Sequence, residues 1–171
     1  SQVFPSEETT LHTEISRCIG ATSTSASDYY ATIDDIVIDA TEHEACLAVL
    51  EVLENRFEDE ETQLLELVTE GELEWAKIAL IGLRAWEGES YHYETDTARS
   101  YESRDFGMSE VFQRIANLRH PDDRIVIWAH NWHISASADR IVGHIGEARS
   151  MGTFLSAEFG DDYVPIGLTA H

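Results

Sequence analysis

The segment Arg124-Ile125-Val126-Ile127-Trp128-Ala129-His130-Asn131-Trp132-His133-Ile134 carries the information that decides the fold. Its first part, Ile125 to Ala129, is a short uninterrupted apolar run bounded by the turn Pro121-Asp122-Asp123. Such a run predicts a strand buried on both faces, the kind found in sheets covered by helices. Directly after it come His130, Asn131 and His133, with Trp132 among them. In open α/β sheets ligands bind outside the carboxyl ends of strands, so these polar groups fall where an active site is expected.

Working outward from this segment, Met108, Val111, Phe112 and Ile115 recur at helical spacing and predict a helix over about 105–118, stopped by His120-Pro121. Downstream, residues 135–149 read as a loop or broken helix. Ser150 to Phe159 reads as a short helix and Tyr163 to Leu168 as a closing strand. Farther upstream the pattern is helical. Thr41 and Glu44 have capping-box spacing, and Cys46, Leu47, Val49, Leu50 and Leu53 form an apolar stripe behind them. A second helix is predicted around Glu61 to Val68 and a third from Glu72 to about Gly88. His12 to Cys18 reads as a short helix, followed by the loop-like stretch Ala21 to Ser27. The expected fold class is therefore α/β, a helical middle segment followed by strand, helix and strand. Two strands do not make a stable sheet, so the remaining strands are expected elsewhere. The 171 residues then form one partial domain: a poorly defined segment 1–40, a helical segment 41–120, and an α/β segment 121–171.

Composition narrows the function. There are 33 acidic against 11 basic residues, a formal charge of −22, and Lys77 is the only lysine. The acids are dispersed rather than blocked, which fits a solvated surface adapted to high salt. Binding of nucleic acid is disfavoured, because neutralising phosphates takes clustered Lys and Arg. No stretch has the roughly 18 apolar residues of a membrane span. The N-terminal residues lack the basic start and apolar core of a signal peptide, so a cytoplasmic location is expected. The first residue is not Met, which suggests a processed or truncated product. Cys18 and Cys46 are far apart and read as reduced thiols.

For chemistry, His130 and His133 are the candidate catalytic residues. A histidine near its neutral-range pKa moves protons at physiological pH. The bland alternative is a hydrogen-bonded cluster at a strand end. A metal site is a weaker reading: there is no HExxH helix, and Asp105, Asp139, His144 and Glu147 are not fixed near the histidines by any spacing. Arg104-Asp105 reads either as a capping and ion-pair device at a helix start or as a pocket pair, with Arg104 holding an anionic or carbonyl group. Arg99 is a further cation nearby. His43 reads as solvated, and His92, between Tyr91 and Tyr93, as part of an aromatic helix contact. Ser135 and Ser137 lack a GxSxG elbow.

Taken together, Ser103-Arg104-Asp105-Phe106-Gly107-Met108, the WAHNxH run 128–133, Ser150-Met151-Gly152, Phe159-Gly160-Asp161-Asp162-Tyr163 and Ile166-Gly167 resemble the erythromycin esterase-like hydrolases. The order and spacing agree over roughly residues 40–171. The resemblance implies part of a larger three-layer α/β hydrolase domain that opens esters or lactones, macrolide lactones among them, by histidine-assisted attack of water. It implies no metal or other cofactor. His130 and His133 match the family's pocket histidines, and Arg104, Asp105, Asn131 and Trp132 are the candidate substrate-binding residues. Two departures stand out. Val111 occupies the family's usual Asn position, and the Gly-Glu-x-x-His-Gly motif that carries the family's first catalytic histidine is not matched, so the resemblance implies a chain that holds pocket residues without that base and is incomplete alone. The implied partners are thus a small ester and either a missing N-terminal half or a second copy that completes the sheet. A non-catalytic acidic interaction domain and a metal-dependent hydrolase are the alternatives.

Overall fold

The computed structural model describes Cys18 and residues 40–93, 95–137 and 147–167. The chain divides into two compact units, Ser1–Tyr91 and His92–His171. The expected helix His12 to Cys18, apart from Cys18 itself, and the expected loop Ala21 to Ser27 lie outside the described residues. So does most of the expected loop 135–149.

In the first unit, helix α1 spans Ala40–Asp59, a single turn α2 spans Glu61–Leu64, and α3 spans Glu70–His92. Leu50, Leu53 and Leu80 form the buried core, with Phe57 and Leu83 packed against it. Each such leucine contributes about 1.5–3 kcal/mol by leaving water. Leu64 is buried as well, whereas the rest of the expected second helix, from Leu65 on, is turn. The capping box forms at α3 instead of α1. Thr69 N donates to Glu72 Oε2 at 2.8 Å and Glu72 N donates to Thr69 Oγ1 at 3.3 Å. The bond from the Thr69 backbone holds the Glu72 carboxyl below its usual pKa. Thr41 and Glu44 share that spacing but lie inside α1, which begins at Ala40.

Two expectations for this unit are corrected. Cys18 and Cys46 are joined in a disulfide rather than left as thiols. His43 is not a solvated side chain: its Nδ1 lies 2.6 Å from Glu87 Oε1 and its ring stacks on Tyr91 at 3.8 Å. Glu87 is only 1% exposed. Among the described residues its Oε2 and the nearby Ser90 Oγ have no hydrogen-bond partner. Burial pushes the Glu87 carboxyl above its usual pKa, against the opposing pull of His43.

In the second unit, α4 spans Thr97–Arg119, α5 is the turn Asn131–Ile134, and α6 spans Met151–Phe159, followed by a 3-10 turn Gly160–Asp162. Asp96 caps α4 by accepting from Arg99 N at 3.1 Å, so this helix starts eight residues earlier than its apolar periodicity suggests. It ends at Arg119, as His120-Pro121 predicts. Helix α6 packs along α4 through edge-to-face pairs Phe106–Phe154 and Phe112–Phe159.

The expected α/β class is overturned: among the described residues the chain is helical and forms no strand. Segments 124–130 and 163–167 belong to no helix or sheet. Val126 is 88% and Trp128 84% exposed, so the apolar run is not buried on both faces. The reason is physical. An apolar run supplies side chains for a sheet, but a strand exists only when a neighbour receives its backbone hydrogen bonds, and none among the described residues does so.

Candidate active site

Asp105 is the centre of the site. It lies midway along α4, not at a helix start, and is 0% exposed. A lone buried carboxylate is costly, and this one is matched by three donors. His133 Nδ1 lies 2.8 Å from Oδ2 and 3.0 Å from Oδ1. The backbone N–H of Met151 donates to Oδ2 at 2.8 Å. Arg104 Nε donates to Oδ1 at 3.4 Å. Met151 is the first residue of α6, so the carboxylate also sits at the positive end of that helix.

The α5 turn that presents His133 is held from three sides. Ser150, the cap of α6, accepts from Thr153 N at 3.3 Å and donates through its hydroxyl to Ser135 O at 2.7 Å. Tyr163 donates its hydroxyl to Ile134 O at 2.7 Å, and burial raises its phenol pKa, which keeps that proton in place. Gly152 lets the two backbones touch. A Cβ there would lie 2.8 Å from Ser135 N and closer still to the Ile134 carbonyl. At the other end of α6, Gly160 takes a positive φ of 56° and closes the helix.

The ring contacts fix protons on the two candidate histidines differently. His133 Nδ1 faces a carboxylate and therefore carries hydrogen, which leaves Nε2 with a lone pair in the neutral ring. His130 caps α5: its Nδ1 accepts from Trp132 N at 3.2 Å. In the neutral ring its hydrogen is therefore on Nε2. In their neutral forms one imidazole thus presents a lone pair at Nε2 and the other an N–H.

The structure gathers Arg104, Asp105, Trp132 and His133. Trp132 packs edge-on against Tyr101 at 5.7 Å and against His133 at 5.1 Å, and the Arg104 guanidinium covers the Tyr101 ring at 4.5 Å. Asn131 and His130 are exposed, Asn131 with its Oδ1 beside Gly167. Asp139 and His144 lie outside the described residues. Among the described residues no three His, Cys, Asp or Glu side chains converge as metal ligands, and no helix is long and apolar enough to cross a membrane. Sequence reasoning missed Ser150 and Tyr163 as the supports of the α5 turn and Met151 as a donor to Asp105. The Ser-x-x-Thr start of α6 is the one local signal that pointed to Ser150 as a cap.

Residues 9–171 match the model of a protein family described as Erythromycin esterase. No curated protein matches the chain, and no solved structure does.

Proposed function

Since the chain belongs to the erythromycin esterase family, a family of hydrolases, we propose that it cleaves an ester or lactone with His133 as general base. The observation that carries this is the buried Asp105 carboxylate 2.8 Å from His133 Nδ1. A carboxylate on Nδ1 orients the imidazole and stabilises the cation that forms when Nε2 takes a proton.

In the proposed reaction His133 Nε2 removes a proton from water as the water oxygen attacks the carbonyl carbon. The resulting tetrahedral oxyanion is stabilised by positive charge or N–H groups, a role for Arg104 and for His130 Nε2–H. The C–O bond then breaks, and the alkoxide leaves with the proton that His133 holds. Trp132 and Asn131 bind the substrate. The 171 residues contain no Gly-Glu-x-x-His-Gly motif; a polypeptide segment that carries it is the partner proposed to complete the site.

The test is hydrolysis of 4-nitrophenyl butyrate and of a macrolide lactone by the full chain, alone and mixed with such a segment. Replacing His133 by Ala is expected to lower the rate by about 100-fold or more, the usual contribution of a general base. A rate unchanged by His133→Ala in both conditions would falsify the assignment.

A further inference from the structure

The second unit contains a cavity of about 300 Å³ that the proposed chemistry does not use. Arg99, Glu102, Phe106, Arg149 and Phe154 line it, with His92. Its walls differ from the rest of the protein. Two Arg against one Glu give the lining a formal charge of +1 (His neutral), in a chain whose total is −22. Glu102 is already engaged: Arg149 donates to its carboxylate from Nη2 at 2.6 Å, from Nε at 3.1 Å and from the backbone at 3.0 Å. Burial works against ionisation of Glu102, but these bonds and the charges of Arg149 and Arg99 outweigh it, so its carboxyl lies below the usual value. The second guanidinium, Arg99, is 72% exposed on its side chain and lies 3.4 Å from Asp96. The apolar part is aromatic: Phe106 and Phe154 meet edge-to-face at 5.2 Å, and the Arg149 guanidinium lies over Phe154 at 4.7 Å.

The position is as informative as the lining. Arg149 N is bonded to Glu102 and Met151 N to Asp105, so segment 149–151 runs along α4 with a carboxylate clamp at each end. Glu102 and Asp105 are one helical turn apart, about 4.5 Å along the axis. The cavity therefore opens one turn from the Asp105–His133 pair.

We propose that this cavity is a binding site for a small aromatic carboxylate, its ring against Phe106 and Phe154 and its carboxylate on Arg99 and Arg149. A guanidinium fork matches a carboxylate in shape and charge, and two Arg side chains lining one aromatic cavity favour an anion over a neutral isostere. The volume is at the small end of ligand pockets, which fits a single-ring acid. On the proposed hydrolysis, the site holds a carboxylate-bearing aromatic substituent of the ester, away from the bond that breaks; that last step rests on the proposed function, whereas the binding does not.

The experiment is titration of the full chain with 4-fluorobenzoate, followed by fluorine NMR at constant ionic strength, with 4-fluorobenzamide as the neutral control. Saturable binding of the acid is expected, with the amide at least about tenfold weaker. Arg99→Gln, at an exposed position, is expected to weaken the acid by a similar factor while circular dichroism stays unchanged. His133→Ala is expected to leave binding intact, so a failure of the hydrolysis reading is told apart from a failure of this one. Equal binding of acid and amide overturns the proposal, as does no saturable binding or an acid affinity unaffected by Arg99→Gln.

Discussion

Asp105 and His133, 28 residues apart in sequence, meet at 2.8 Å with the carboxylate fully buried and the imidazole partly exposed. The contact joins the middle of α4 to the one-turn helix α5, and the first N–H of α6 completes it. Three elements thus converge on one carboxylate, so it orients the His133 ring and ties the unit together.

Replacing Asp105 by Asn keeps an acceptor but removes the charge that three donors share. A stability loss of about 1–3 kcal/mol is expected, the cost of poorly satisfied buried donors, read as a lower urea midpoint. Hydrolysis is expected to fall by about 100-fold or more in parallel. A variant with normal stability and normal rate would show that Asp105 neither supports nor orients His133.

Gly152→Ala tests the close approach of α6 to the α5 turn. The added Cβ meets backbone atoms of Ile134 and Ser135, which are not free to rotate away. A cost of about 1–3 kcal/mol is expected from overpacking, with a larger loss of activity than of fold, because the turn carrying His133 must shift. Thermal denaturation and kcat are the two readouts.

Glu87 gives a pH signature in the first unit. Burial raises its carboxyl pKa, so the folded chain holds this proton more tightly than the unfolded chain does. Its contribution to stability is full below the unfolded carboxylate range, near about 4.3, and is lost as pH rises through the raised folded value. Relative to Glu87→Gln, the unsubstituted chain is therefore expected to lose stability from acidic to neutral pH. Urea midpoints of both proteins across that range check this; a pH-independent difference argues against it.

The Cys18–Cys46 disulfide spans 28 residues. Closing a loop of that size stabilises by about 3–4 kcal/mol on the chain-entropy model. Reduction, or Cys18→Ser with Cys46→Ser, is expected to lower the urea midpoint of the first unit accordingly. No shift on reduction would mean that the bridge does not constrain the unfolded chain.

Much of this arrangement was legible in the sequence, and the missing parts share a cause. Helical periodicity located α1, α3 and the later part of α4 because the stripe Leu50, Leu53 is a local pattern, and the stop at His120-Pro121 is local chemistry; it did not announce the α5 turn. Arg104, Asp105, Trp132 and His133 were singled out by type and motif, and the structure brings them together. The strand expected at Ile125–Ala129 was not found, because an apolar run says what a segment buries if it is paired, not whether a partner is present. Asp105 was placed at a helix start because the stretch Thr97–Arg104 has little apolar periodicity; the Asp96 cap and contacts with α6 make it helical anyway. His43–Glu87, Glu102–Arg149 and Tyr163–Ile134 are each contacts over 29 residues or more. Nothing local announces them.

In the proposed mechanism the two histidines carry their protons on opposite nitrogens, His133 as base and His130 as donor. Long-range proton–nitrogen correlation NMR of the imidazole rings at neutral pH, assigned with His130→Ala and His133→Ala, reads this directly. Hydrogen is expected on Nδ1 of His133 and on Nε2 of His130. A neutral His133 with its hydrogen on Nε2 would contradict it.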